Sequence, residues 1–122
     1  MEGEFPDLAG IETKEGLKIA GGNTEIYKKV LEKFYQINSS TLAEIKKAVE
    51  NGEILLAERQ VHTVRGSAAS IGAKDLAHIS QRFESAIKDE QKEELQTLMD
   101  NFSNSLVSVL ETLKKFSSQE LR

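Results

Sequence analysis

An imidazole, a guanidinium and a glycine stand within about one helical turn at His62, Arg65 and Gly66, a spacing that could accept and hold a phosphoryl group. A neutral imidazole is nucleophilic near neutral pH because the ordinary pKa of histidine is about 6.5. Attack by one ring nitrogen is easier when the other donates its proton to an acceptor, which fixes the tautomer. The phosphorylated ring carries an anionic group that a guanidinium on the same face can pair with. Chemistry of this kind is mostly positioning and charge neutralisation, so it asks for little further machinery.

These three residues need a helix to hold them, and residues 53–71 supply its pattern. Ala57, Val61, Val64, Ala68 and Ile71 recur at intervals of four, three, four and three, and Gly72 ends the run. On a wheel of about 100° per residue, His62 falls about 140° from the centre of that stripe. That is the flank seen by water or a partner. Glu58, Arg65, Gly66 and Ala69 are its neighbours there. Glycine inside a helix costs about 1 kcal/mol relative to alanine. At 66, one turn past the histidine, a side chain would lean back over the imidazole, and glycine removes it. Ala69 continues the clearing. Taken singly, these features have plainer explanations. An exposed histidine is usually an ordinary surface residue, and His78, without small neighbours, is read as one. Gly66 with Ser67, Ala68, Ala69 and Ser70 could serve close helix packing. The combination points to an acceptor site.

The rest of the chain reads as further amphipathic helices. Pro6 is the single proline. A short helix at 13–20 stops at Gly21 and Gly22. Asn23 or Thr24 caps the next, to about Gln36, with Ile26, Val30 and Phe34 as its apolar stripe. Asn38, Ser39 and Ser40 form a break and a new cap, before a helix with Leu42, Ile45 and Val49 inward that Asn51 and Gly52 close. After the histidine helix come a helix at about 74–88, with Leu76, Ile79, Phe83 and Ile87 inward, and a last one from about Gln91 to Phe116. The last buries Leu95, Leu98, Phe102, Leu106, Val109 and Leu113. Nothing alternates with period two. Short connections imply antiparallel neighbours, so the expected fold is all-α: an up-down antiparallel four-helix bundle with additional short N-terminal helices. One domain is expected over 1–122, with its core at about 8–116. The first dozen residues and Ser117–Ser118 are expected to fray.

Composition narrows the class. The 122 residues are 39% hydrophobic and 30% charged, enough for one soluble domain with a core of its own. No cysteine is present, so a disulfide framework and a thiolate site are both excluded. No apolar run approaches the roughly 20 residues of a membrane span. Residues 1–6 lack the basic start and apolar stretch of a signal peptide. A net charge of −4 forces no basic face, which speaks against nucleic acid as a partner. The expectation is a small cytoplasmic domain without direct membrane contact.

The stretch from His62 to Ala73 closely resembles the signature of histidine-phosphotransfer (HPt) domains: a histidine, a basic residue three on, glycine four on, small residues, and glycine ten on. Gly10-Ile11-Glu12, Glu15-Gly16-Leu17 and Gly21-Gly22-Asn23 resemble the opening of HPt domains found in bacterial hybrid sensor kinases. Tyr27, Leu31, Phe34, Leu76 and the pair Phe83-Glu84 continue the likeness over residues 8–116. The resemblance implies that His62 is the phosphoacceptor, reacting through Nε2, and that Gly66 leaves room for the phosphoryl group. Arg65 stands where the family usually has lysine, which keeps the charge but changes the donor geometry. Glu84 falls where the family places a glutamine or glutamate near the imidazole. It could accept the Nδ1 proton and would also repel the phosphate; Gln81, one turn earlier, is a neutral candidate. Ala69, Glu58 and Arg59 would belong to the docking face. The implied partners are response-regulator receiver domains, which bring Mg²⁺ with them, and a sensor histidine kinase in the same chain or a separate one. No cofactor of its own is implied.

Three rivals stay open. The phosphoacceptor module of a chemotaxis-type kinase has a similar motif, although the opening at residues 10–23 argues against it. A non-catalytic interaction bundle would leave His62 unused. An autophosphorylating kinase usually has an acid directly after its histidine, whereas Thr63 follows here, and no ATP-binding half is legible. A metal site is weakly supported, because His62 and His78 stand 16 residues apart without face partners. Glu93 and Glu94 read as solvated charge.

Overall fold

Glycine turns end three of the helices into which this chain folds. In a computed structural model, which describes residues 5–89 and 92–120, the elements are α1 (Thr13–Ile19), α2 (Thr24–Asn38), α3 (Thr41–Glu50), α4 (Ile54–Ile71), α5 (Lys74–Lys88) and α6 (Lys92–Glu120). Asn23 starts α2 by accepting the Ile26 N–H at 3.0 Å. α4 ends on Gly72 at φ +88°. There the Gly72 N–H returns to the Ala69 carbonyl and the Ala73 N–H to that of Ala68. These bonds satisfy carbonyls that the helix end would otherwise orphan, and they need a residue that takes the left-handed conformation cheaply. Glycines end α1 and α3 in the same way, at Gly21 and Gly52.

The bundle closes as a ring in which α2 packs on α4, α4 on α5, α5 on α6 and α6 on α2. α1 and α3 lie against α4 and α2. The turn at Gly72 and Ala73 sends α5 back along α4. All five stripe residues of α4 are buried, as their spacing requires. Phe83 of α5 and Phe102 of α6 meet with ring centroids 5.2 Å apart in the middle of the core.

The apolar face of α2 departs from the expected stripe. Tyr27, Leu31 and Phe34 are buried, together with Asn38, while Ile26 is 49% exposed and Val30 only partly covered. The rotation seats the Tyr27 ring in the core, where its hydroxyl donates to the Ile71 carbonyl at the end of α4, 2.6 Å away. Burial pushes this phenol up to about 12. α2 also runs past Gln36 to Asn38, whose buried amide donates to the Phe34 carbonyl. Small departures follow elsewhere. In α3, Thr41 and Ala48 join Ile45 inside, with Leu42 and Val49 at the margin. In α5 the buried turn position is Ser80, whose hydroxyl donates to the Leu76 carbonyl, and Ile79 is only partly covered. Leu95 of α6 is likewise partly covered.

The described parts of both segments expected to fray, residues 5–12 and Ser117–Ser118, are ordered against the bundle or helical. Phe5 packs its ring on Tyr27 and Phe116, Ile11 is buried, and the Glu12 N–H donates to the Gly72 carbonyl at 2.8 Å. α6 continues through Ser117 and Ser118 to Glu120. Residues 1–4 and the expected helix start at Gln91 lie outside the described residues.

Candidate functional site

The histidine helix leaves its functional face outward because its apolar stripe faces in. Ala57, Val61, Val64 and Ala68 are buried, and the His62 side chain between them in sequence is 58% exposed. A methyl group built at Gly66 would meet nothing within 4 Å, so the space one turn beyond the ring is open. Ala69, a further turn on, is exposed. Toward the start of α4, the exposed Leu55 and Arg59 and the half-buried Glu58 line a shallow depression with His62 and Glu84. Leu55 is 75% exposed and escaped the sequence reading. A leucine seven residues before the histidine is the signal that marks it, because two helical turns return to the same face.

Glu84 comes from α5. Its neighbour in sequence, Phe83, is fully buried, which anchors that turn of the helix in the core. His62 and Glu84 lie eleven residues either side of Ala73, so the hairpin of α4 and α5 brings them opposite one another. His62 Nδ1 is 2.9 Å from Glu84 Oε2. A carboxylate accepts, so Nδ1 carries the proton, and in the neutral ring the lone pair then belongs to Nε2. No hydrogen bond engages Nε2 among the described residues. Arg65 reaches the same carboxylate from the α4 side, with Nη1 3.4 Å from Oε1.

The sequence-derived set thus divides. His62, Arg65 and Glu84 converge. Gly66 and Ala69 clear the surface beside them, and Glu58 and Arg59 rim the depression. Gln81 does not join them: it is exposed on α5 and makes no side-chain hydrogen bond among the described residues, since Glu84 already takes the single ring nitrogen that faces α5. His78 is also exposed on α5, and among the described residues no group of three or more His, Cys, Asp or Glu could hold a metal ion.

The open space at Gly66 permits a test that separates stability from function. Gly66→Ala should stabilise the bundle by up to about 1 kcal/mol, because alanine is the better helix former and meets no obstacle. The same methyl partly closes the clearing beside the imidazole. Thermal unfolding should therefore move up while any reaction at Nε2 that needs close approach slows.

A family model described as Hpt domain matches residues 29–116, a span that runs from within α2 into α6 and includes His62, Arg65, Gly66 and Glu84. No curated protein and no solved structure matches the chain.

Proposed function

Since this chain belongs to the Hpt domain family, whose members serve histidine phosphotransfer in two-component signalling, we propose that His62 is its phosphoacceptor. In this reading it takes the group from the aspartyl phosphate of one response-regulator receiver and passes it to the aspartate of another. The observation that carries the reading is the hydrogen bond from Nδ1 to Glu84, which leaves Nε2 as the lone-pair nitrogen on an exposed, cleared face.

The step balances on these residues. Nε2 forms a bond to phosphorus as the bond from phosphorus to the aspartyl oxygen breaks, and the aspartate departs with that electron pair. Nδ1 keeps its proton throughout. The positive charge that develops on the ring is met by the Glu84 carboxylate, a charge-assisted hydrogen bond. The absence of a side chain at Gly66 admits the phosphoryl group and the rim of the receiver. Leu55, Glu58, Arg59 and Ala69 would form the docking face. The reading assigns Mg²⁺ to the receiver and no cofactor to this chain. A sensor histidine kinase would stand upstream, in the same polypeptide or another. No helix among the described residues is long and apolar enough to cross a membrane, and the proposed place of action is the cytoplasm.

Phosphorylated receivers of the source organism, mixed one by one with the protein, test this directly. At least one should hand over its label rapidly, giving a linkage that is stable to base and labile to acid, while ATP alone should give none. Failure of every receiver would overturn the relay. Labelling by ATP alone would make the protein a kinase.

A further inference from the structure

A turn between two helices ordinarily lies at the surface. Here the turn from α4 to α5 is buried: Ile71, Gly72 and Ala73 are all enclosed. Residues 12–16 lie directly against it, in a part of the chain that stands outside the matched span 29–116. The Glu12 N–H donates to the Gly72 carbonyl, the Glu12 carboxylate pairs with Lys74 Nζ at 3.4 Å, and a methyl built at Gly72 would strike the Glu12 carbonyl group. Gly16 fits as closely. A methyl there would run into the Ile71 carbonyl and into the Tyr27 hydroxyl that donates to it. Between them, Glu12 and Tyr27 give the last carbonyls of α4 their donors. Farther back, the same segment crosses the other helices. Phe5 lies between the rings of Tyr27 and Phe116, and the Ala9 carbonyl accepts from the Thr112 hydroxyl of α6 at 3.1 Å.

The helix within this segment cannot hold it in place. α1 has seven residues, too few to stay helical in water alone. Apart from Ile11, Thr13, Gly16 and Leu17, residues 5–20 are exposed or only partly covered. Such a segment docks as a unit and comes away as a unit, ahead of a core built around Phe83 and Phe102.

We propose that residues 5–20 form a releasable strap that locks the α4–α5 turn, and that its release loosens the hairpin carrying His62 and Glu84 and slows phosphotransfer. The effect on transfer rests on His62 being the phosphoacceptor; the lock itself does not. Docked, the strap fixes the point and the angle at which α5 leaves α4. Released, the turn loses its cover and the Gly72 carbonyl its donor, and the two helices are held together by their side chains alone.

Amide hydrogen exchange of the whole protein, read by NMR, tests the lock. In the parent, the Glu12 and Gly16 amides should exchange together, roughly tenfold or more faster than amides in the middle of α4. Two variants should unseat the strap. Gly16→Ala puts a methyl against the Ile71 carbonyl, and Glu12→Pro removes both the N–H that reaches Gly72 and the carboxylate that pairs with Lys74. In each, the remaining strap amides should lose protection, the Ala73 and Ala77 amides at the turn should lose about tenfold, and the amides in the middle of α4 should keep theirs. Phosphorylation by a labelled receiver should slow by about tenfold, because small displacements of reacting groups cost that much or more. The proposal is overturned if the strap amides of the parent open only with the core, or if neither variant opens them. It is equally overturned if they open while either the turn amides or the phosphorylation rate stays as in the parent. Should Gly16→Ala fail to fold, Glu12→Pro, at an exposed residue, decides alone. If no receiver labels the parent, the relay reading fails, whereas the amides still decide the lock.

Discussion

His62→Gln should abolish acceptance of a phosphoryl group from any receiver while the bundle stays folded. The amide of glutamine has no lone-pair nitrogen able to attack phosphorus, so the loss is complete rather than graded. The fold should be spared because the side chain is mostly in water and packs no part of the core. A glutamine amide can also still donate to Glu84. Surface changes of this kind move stability by roughly 0.5 kcal/mol. Circular dichroism should show the parent's helix content and nearly its melting temperature, and a labelled receiver should leave the variant unlabelled. Residual acceptance at the parent's rate would place the acceptor on another residue, with His78 the remaining histidine.

Gly72→Ala should be among the most destabilising single-methyl changes in the chain. Two causes add. The residue sits at φ +88°, where a side chain costs about 1–2 kcal/mol. A methyl there would also run into the carbonyl group of Glu12, which is backbone and cannot swing aside, and would lie 3.2 Å from the Gly16 nitrogen. The sum should be on the order of 3 kcal/mol or more. Gly52→Ala is the matched control: φ is +73°, yet nothing lies within 4 Å of the added atom, so only the conformational cost of about 1–2 kcal/mol applies. Chemical denaturation of both variants should show the larger loss at Gly72. Equal losses would mean that the segment ending at Glu12 yields without cost. Because Gly72 turns α4 into α5, its substitution should also loosen the register of Glu84 against His62 and slow phosphotransfer.

How far the sequence reached depended on whether a pattern had a competitor. In α4 the intervals of the apolar residues admit a single inward face, so the helix, its end at Gly72 and the outward direction of His62 were all legible beforehand. In α2 two overlapping stripes fit helical spacing equally well, one through Ile26 and Val30, the other through Tyr27 and Leu31. Hydrophobicity could not rank them. A bond across 44 residues of chain, from the Tyr27 hydroxyl to the Ile71 carbonyl, goes with the second. The segments at 5–12 and at Ser117–Ser118 were misjudged for a related reason: a stretch without helical periodicity at residues 5–12, and a pair of serines at the other end, say nothing of the docking of Phe5 between Tyr27 and Phe116.

The outward placing of His62 and the cleared face around it were determined by the sequence alone, because both follow from spacing along one helix, and the all-helical class followed from the same periodicity in the other segments. The tertiary structure alone decided that Glu84 rather than Gln81 meets the imidazole, and that Arg65 turns to that same carboxylate. Those contacts cross from α4 to α5. Helical periodicity places side chains around one axis but does not set the depth and rotation at which two axes pack.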